Sequence, residues 1–105
     1  MNVLRPGHKY ELENFERSLS ELNQVIQFIE KEPASPGSEE LKTVNDGTTN
    51  EEVLRVLIDR IQSLQSKFPC RENAIVITKL EESLMWLEKR TSDRKARGVE
   101  GKQIK

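Results

Sequence analysis

At 105 residues, with 34% hydrophobic, 5% aromatic and 33% charged side chains, the chain has the length of a single domain and little apolar material for a core. A net charge of -1 excludes wholesale electrostatic capture of DNA. No apolar run approaches the roughly 20 residues that span a bilayer, the first residues lack the apolar stretch of a secretory signal, and one cysteine, Cys70, excludes an internal disulfide framework and points to a reducing cytosol.

The first long segment, Glu11 to Glu32, reads as a helix. Leu12, Phe15, Leu19, Leu22, Ile26 and Ile29 recur at spacings of three and four, which places them on one stripe, with Val25 and Phe28 widening it. Pro33 ends this segment. Residues 33–47 then read as a flexible loop, with two prolines and a glycine in Pro33-Ala34-Ser35-Pro36-Gly37-Ser38 and a turn signal at Asn45-Asp46-Gly47. A second helix starts at Thr48 or Thr49, either of which forms a capping box with Glu51 or Glu52. Its main stripe is Val53, Leu57, Ile61, Leu64 and Phe68, with Leu54 and Ile58 beside it, and Pro69 stops it. A third helix begins near Cys70 or Arg71, carries Ile77, Leu80, Leu84 and Leu87 on one stripe, and has Gly98 as its C′ residue. Helices joined by so short a turn pack antiparallel.

The expected architecture is therefore an all-α single domain. An N-terminal arm and helix (1–32) and the loop (33–47) precede a long helical hairpin (48–98) and a basic tail (99–105). So small an apolar content favours self-association, which adds core.

Chemistry is sparse. There is no glycine-rich phosphate loop, nucleophile elbow or metal-ligand spacing. His8 is the single histidine, and Cys70, beside Arg71, lacks a base to make it a nucleophile, so it reads as a capping or packing residue. Neither catalysis, nor a metal, nor a cofactor is expected. Binding features are better. Tyr10 can stack on a nucleobase while Lys9 neutralises phosphate; the plainer role for Tyr10 is to pack at the start of a helix. From Glu88 to Lys105 there are seven basic and three acidic residues, a net +4 that leaves about -5 on the rest. Within that segment Arg90, Arg94 and Arg97 form a basic stripe suited to planar phosphate contacts, or a solvated helix end that complements the dipole. Thr49 and Asn50 lie where the N–H groups of a helix N-terminus could hold a phosphate.

Phe68-Pro69-Cys70-Arg71-Glu72-Asn73 continuing to Thr78-Lys79-Leu80-Glu81-Glu82 and Met85-Trp86 is more distinctive than its periodicity requires. It resembles the helical hairpin domain shared by small phage proteins that block the bacterial immune systems CBASS and Thoeris. The resemblance covers roughly Gly47 to Gly98. It implies a non-catalytic, oligomeric sponge, typically a hexamer, that holds a cyclic nucleotide signal intact in the host cytoplasm.

In the anti-CBASS branch the ligands are cyclic dinucleotides such as cGAMP and cyclic trinucleotides; in the anti-Thoeris branch they are cyclic ADP-ribose isomers. A helical first segment is closer to the anti-CBASS branch, because the N-terminal part of the anti-Thoeris members is strand-rich. The resemblance also implies that Tyr10 matches a base-stacking tyrosine, and that Arg90, Arg94 and Arg97 contact phosphate near an oligomer axis. Two other readings remain open. One is a helical adaptor that binds a host protein; the other is a nucleic-acid accessory protein that uses the basic end. The sponge reading itself includes no membrane, DNA or RNA partner.

Overall fold

A computed structural model of the chain describes residues 1–16 and 22–104. The fold is α+β, which corrects the all-α expectation. Among the described residues, β1 (Asn2–Arg5), β2 (Lys9–Leu12), β3 (Gln24–Gln27), β4 (Glu30–Pro33) and β5 (Leu41–Asn45) precede α1 (Asn50–Lys67) and α2 (Arg71–Ala96). Contacts within the chain group them into two compact units, Met1–Thr48 and Thr49–Lys105.

In the first unit β1, β2 and β3 form an antiparallel sheet in that order, and β4 pairs with β5 in a second. Two Pro-Gly turns fold it. Pro6 presets the first turn position and Gly7 (φ 77°) occupies the left-handed one, so that the His8 N–H donates to the Arg5 carbonyl at 3.0 Å and β1 turns back onto β2. Pro36 and Gly37 (φ 76°) repeat the device, with Ser38 N–H donating to Ser35 at 3.0 Å between β4 and β5. The presumed flexible loop over 33–47 thus holds a strand, Leu41–Asn45, and a closed turn. Tyr10 sits opposite Val3 and Ile26, and Glu11 opposite Val25.

Among the described residues of Glu11 to Glu32 no helix forms where one was predicted: they supply the end of β2, all of β3 and most of β4. Leu19, with the rest of 17–21, lies outside the described residues. The three-four spacing misleads because two of its members, Phe15 (99%) and Leu22 (82%), stay largely exposed. Locally the β-branched pair Val25-Ile26, held in register against β2, favours the strand.

The sheets meet at Thr48. Its N–H donates to the Gln27 carbonyl (2.8 Å) and its carbonyl accepts from Ile29 (2.9 Å). Gly47 makes this approach possible, because a Cβ there would run into the backbone of Gln27 and Phe28.

The second unit is the expected hairpin. Thr49 is the N-cap of α1, its hydroxyl accepting from Glu52 N–H at 3.1 Å. Cys70 caps α2, its Sγ accepting from Asn73 N–H at 3.5 Å. Gln65 bridges the turn between them, donating to the Cys70 carbonyl (3.0 Å) and accepting from Cys70 N–H (2.9 Å). Gln65→Ala is expected to lose both bonds and about 1 kcal/mol of stability, read by urea denaturation. Gly98 (φ 70°) ends α2 in a Schellman motif, with Val99 N–H donating to Arg94 and Gly98 N–H to Lys95, both at 3.0 Å.

Ile77, Leu80, Leu84 and Leu87 of α2 are half-buried, as are Val53, Leu54, Ile58 and Ile61 of α1. The seam on α1 is rotated by about one position from the expected main stripe, so Leu57, Leu64 and Phe68 stay exposed. Among the described residues no hydrophobic side chain is buried; Glu30 and Arg94 are the two buried residues.

Candidate functional site

Strand alternation decides what the N-terminal candidates can do. Neighbours on a strand point to opposite faces, so Tyr10 and Lys9 on β2 do not share a surface. Tyr10 lies with Val3 and Ile26 on the more apolar face, its half-buried ring edge-on to Phe28 at a centroid distance of 6.1 Å and 80° between planes. Lys9 lies opposite Gln27. A ligand stacked on Tyr10 therefore takes its phosphate contact from a residue other than Lys9 of the same chain. Phe28 is the aromatic neighbour of Tyr10 that sequence spacing does not single out; its place in the β-prone run Val25-Ile26-Gln27-Phe28 is the available signal.

The region is braced by a buried carboxylate. Glu30 on β4 accepts two bonds from Arg5 on β1, from Nε and Nη2, both at 2.5 Å, and one from Asn45 Nδ2 at 3.3 Å. These donors hold its carboxyl down at about 2, the hydrogen bonds from Arg5 contributing most. Because the folded value lies below the ordinary 4.5, the contribution to stability is complete above about pH 4.5 and is lost as pH falls toward 2. Acid unfolding followed by circular dichroism is expected to start at lower stability and show a shallower pH dependence in Glu30→Gln. An identical profile for the two proteins would remove Glu30 from this role. Nothing in the sequence pattern marked this pair.

In the second unit the open end of the hairpin brings the α1 N-terminus to the C-terminal part of α2. A shallow cleft of about 380 Å³ lies between Thr49, Glu51 and Arg55 of α1 and Glu88, Thr91 and Lys95 of α2. Arg55 is held by Glu52 (3.4 Å) and Glu88 (3.1 Å), so the cleft carries balanced charge and has no concentrated pull on an anion. The Thr49 hydroxyl is occupied by capping, and Asn50 is exposed on the first turn.

The arginine stripe divides. Arg94 turns inward, 8% exposed, its Nη2 donating to the carbonyls of Val99 (2.9 Å) and Lys102 (2.6 Å), which pins the turn after α2; Nη1 is buried without a partner. Arg90 and Arg97 are exposed. Lys105 lies outside the described residues. Among the described residues no cluster of His, Cys, Asp or Glu could hold a metal ion, and no helix is long and apolar enough to cross a membrane.

The architecture is that of a small α+β protein in which short antiparallel strands precede a long helical hairpin. Residues 23–92, two-thirds of the chain, match the Acb2/Tad1 hairpin domain family, and the chain belongs to that family. It is similar to Thoeris anti-defense 1 of Bacillus phage SBSphiJ7, with 58% identity over 57 residues. That alignment takes in 53% of this chain and 40% of the phage protein, so the chain spans less than half the length of this relative.

Proposed function

We propose that the chain is the subunit of a phage-encoded, non-catalytic sponge that binds a cyclic nucleotide signal of bacterial immunity and keeps it intact in the host cytoplasm. Membership of the Acb2/Tad1 hairpin family carries this reading. A sponge competes with an effector without turnover, so it must bind tightly and stoichiometrically.

The leading ligands are the cyclic ADP-ribose isomers of Thoeris. A helical first segment would favour the anti-CBASS branch; strands stand there instead, and strands before the hairpin fit the anti-Thoeris branch. The name of the phage relative favours the same branch. Cyclic dinucleotides such as cGAMP, and cyclic trinucleotides, are the second reading, supported by the family's breadth.

The assembly is a homo-oligomer, with a hexamer as the family resemblance implies. Its support is the absence of any buried hydrophobic side chain among the described residues. Native mass spectra of the protein mixed with each ligand class test the reading. The expected result is an oligomer carrying unhydrolysed cyclic nucleotide. An oligomer that ignores every ligand would leave the protein-adaptor reading in its place.

A further inference from the structure

We infer that the outward face of α1 is a two-fold interface with a second copy of this chain, the two α1 helices packing antiparallel about an axis between Asp59 and Arg60. The inference rests on the oligomeric part of the reading above and is independent of the ligand.

The face is an open strip of surface along α1. Its residues recur every three or four positions, from Glu52 through Val56, Asp59, Arg60 and Ser63 to Lys67, which forms a continuous seam roughly 22 Å long. In an isologous pair each residue meets the one at the mirrored distance from the axis. Glu52 then faces Lys67, Asp59 faces Arg60, and Val56 faces Ser63, while the aliphatic stem of Arg55 lies over Leu64. Both charged pairs about that axis, Glu52 with Lys67 and Asp59 with Arg60, are of opposite sign, and Arg55 meets no charge across it. The small Ser63 leaves room for Val56. Parallel packing would instead place Glu52 beside Glu52, Arg60 beside Arg60 and Lys67 beside Lys67.

Two further observations select a second copy as the occupant. Asp59, Arg60 and Lys67 make no ion pair within the chain among the described residues, so their charges are unspent. Val56 is 60% exposed and Leu64 40%, on either side of the axis within the same seam. A partner must therefore bring apolar surface together with a charge sequence that reverses along its length, and α1 itself has both. A contact of one helix pair is smaller than a standard stable interface, so the charges set register and orientation more than affinity. The exposed Phe68, Met85 and Trp86 are available to other contacts in the assembly.

Charge reversal at the axis tests this directly. Asp59 and Arg60 are exposed, mid-helix and unpaired, so helix content by circular dichroism should be unchanged in Asp59→Arg, in Arg60→Asp and in the double variant. Each single reversal creates two like-charge contacts across the axis and is expected to weaken the pairing by about tenfold or more, seen as a fall in assembly mass on dilution in sedimentation. The double reversal restores opposite signs and should restore the wild-type mass. In a Cys70→Ser background, Val56→Cys combined with Ser63→Cys is expected to give an oxidised dimer. A wild-type monomer would overturn both this interface and the oligomeric reading. A wild-type oligomer whose mass neither single reversal changes, or one that the double variant fails to restore, would overturn this interface alone.

Discussion

Gly47→Ala is expected to lower stability by about 2–4 kcal/mol, the scale of a forced steric clash or a broken buried contact. The added Cβ would meet the Gln27 carbonyl and, at 2.8 Å, the Phe28 carbonyl carbon. Both are backbone atoms, which cannot swing aside as the end of a side chain can. Relief requires Thr48 to withdraw from Gln27 and Ile29, which breaks the two hydrogen bonds that join the strands there. Denaturant unfolding gives the size of the effect. Amide exchange at Ile29 and Thr48 gives its location, and unchanged protection at both would rule the mechanism out. Gly37→Ala is the comparison: its φ of 76° carries backbone strain, but its Cβ meets nothing within 4 Å. About 1 kcal/mol is expected there.

The second large effect is on binding. On the proposed sponge reading with Tyr10 as the stacking residue, base stacking contributes about 1–3 kcal/mol, so Tyr10→Ala is expected to weaken affinity for a cyclic nucleotide roughly 5- to 150-fold by titration calorimetry. Tyr10 also packs edge-on against Phe28. Tyr10→Phe keeps both the ring and that contact, and is expected to bind within a few-fold of wild type. Full affinity in Tyr10→Ala would move the stacking site elsewhere.

The hairpin was legible because two signals agreed over a long stretch. Apolar residues repeated at helical spacing across α1 and α2, and Thr49, Pro69 and Gly98 marked the ends. Its inner seam was less legible, because α1 is apolar on two adjoining sides and the choice between Leu57 and Ile58 depends on α2.

The N-terminal unit was misread for a definite reason. Strands of four or five residues are too short for alternation to outweigh a chance three-four spacing. The decisive marks are the paired turns at Pro6-Gly7 and Pro36-Gly37, whose Pro-Gly composition fits a flexible connector as well as a closed turn. The bidentate grip of Arg5 on Glu30, 25 residues apart, leaves no local trace in the sequence. Among candidate site residues, sequence spacing put Lys9 beside Tyr10 and Arg94 in line with Arg90 and Arg97. Strand alternation sends Lys9 to the other face, and the turn after α2 draws Arg94 inward.

A chain whose buried described side chains are a glutamate and an arginine has a bearing on its life before assembly. If copies assemble as proposed, Phe68 at 81% and Trp86 at 64% exposure offer a newly made chain to proteases and chaperones until assembly covers them. On that reading its half-life depends on how much of it is present, scarce copies being more exposed to degradation than abundant ones. Melting temperature should accordingly rise with protein concentration in a dilution series, as it does for any fold whose apolar burial is completed by a neighbour.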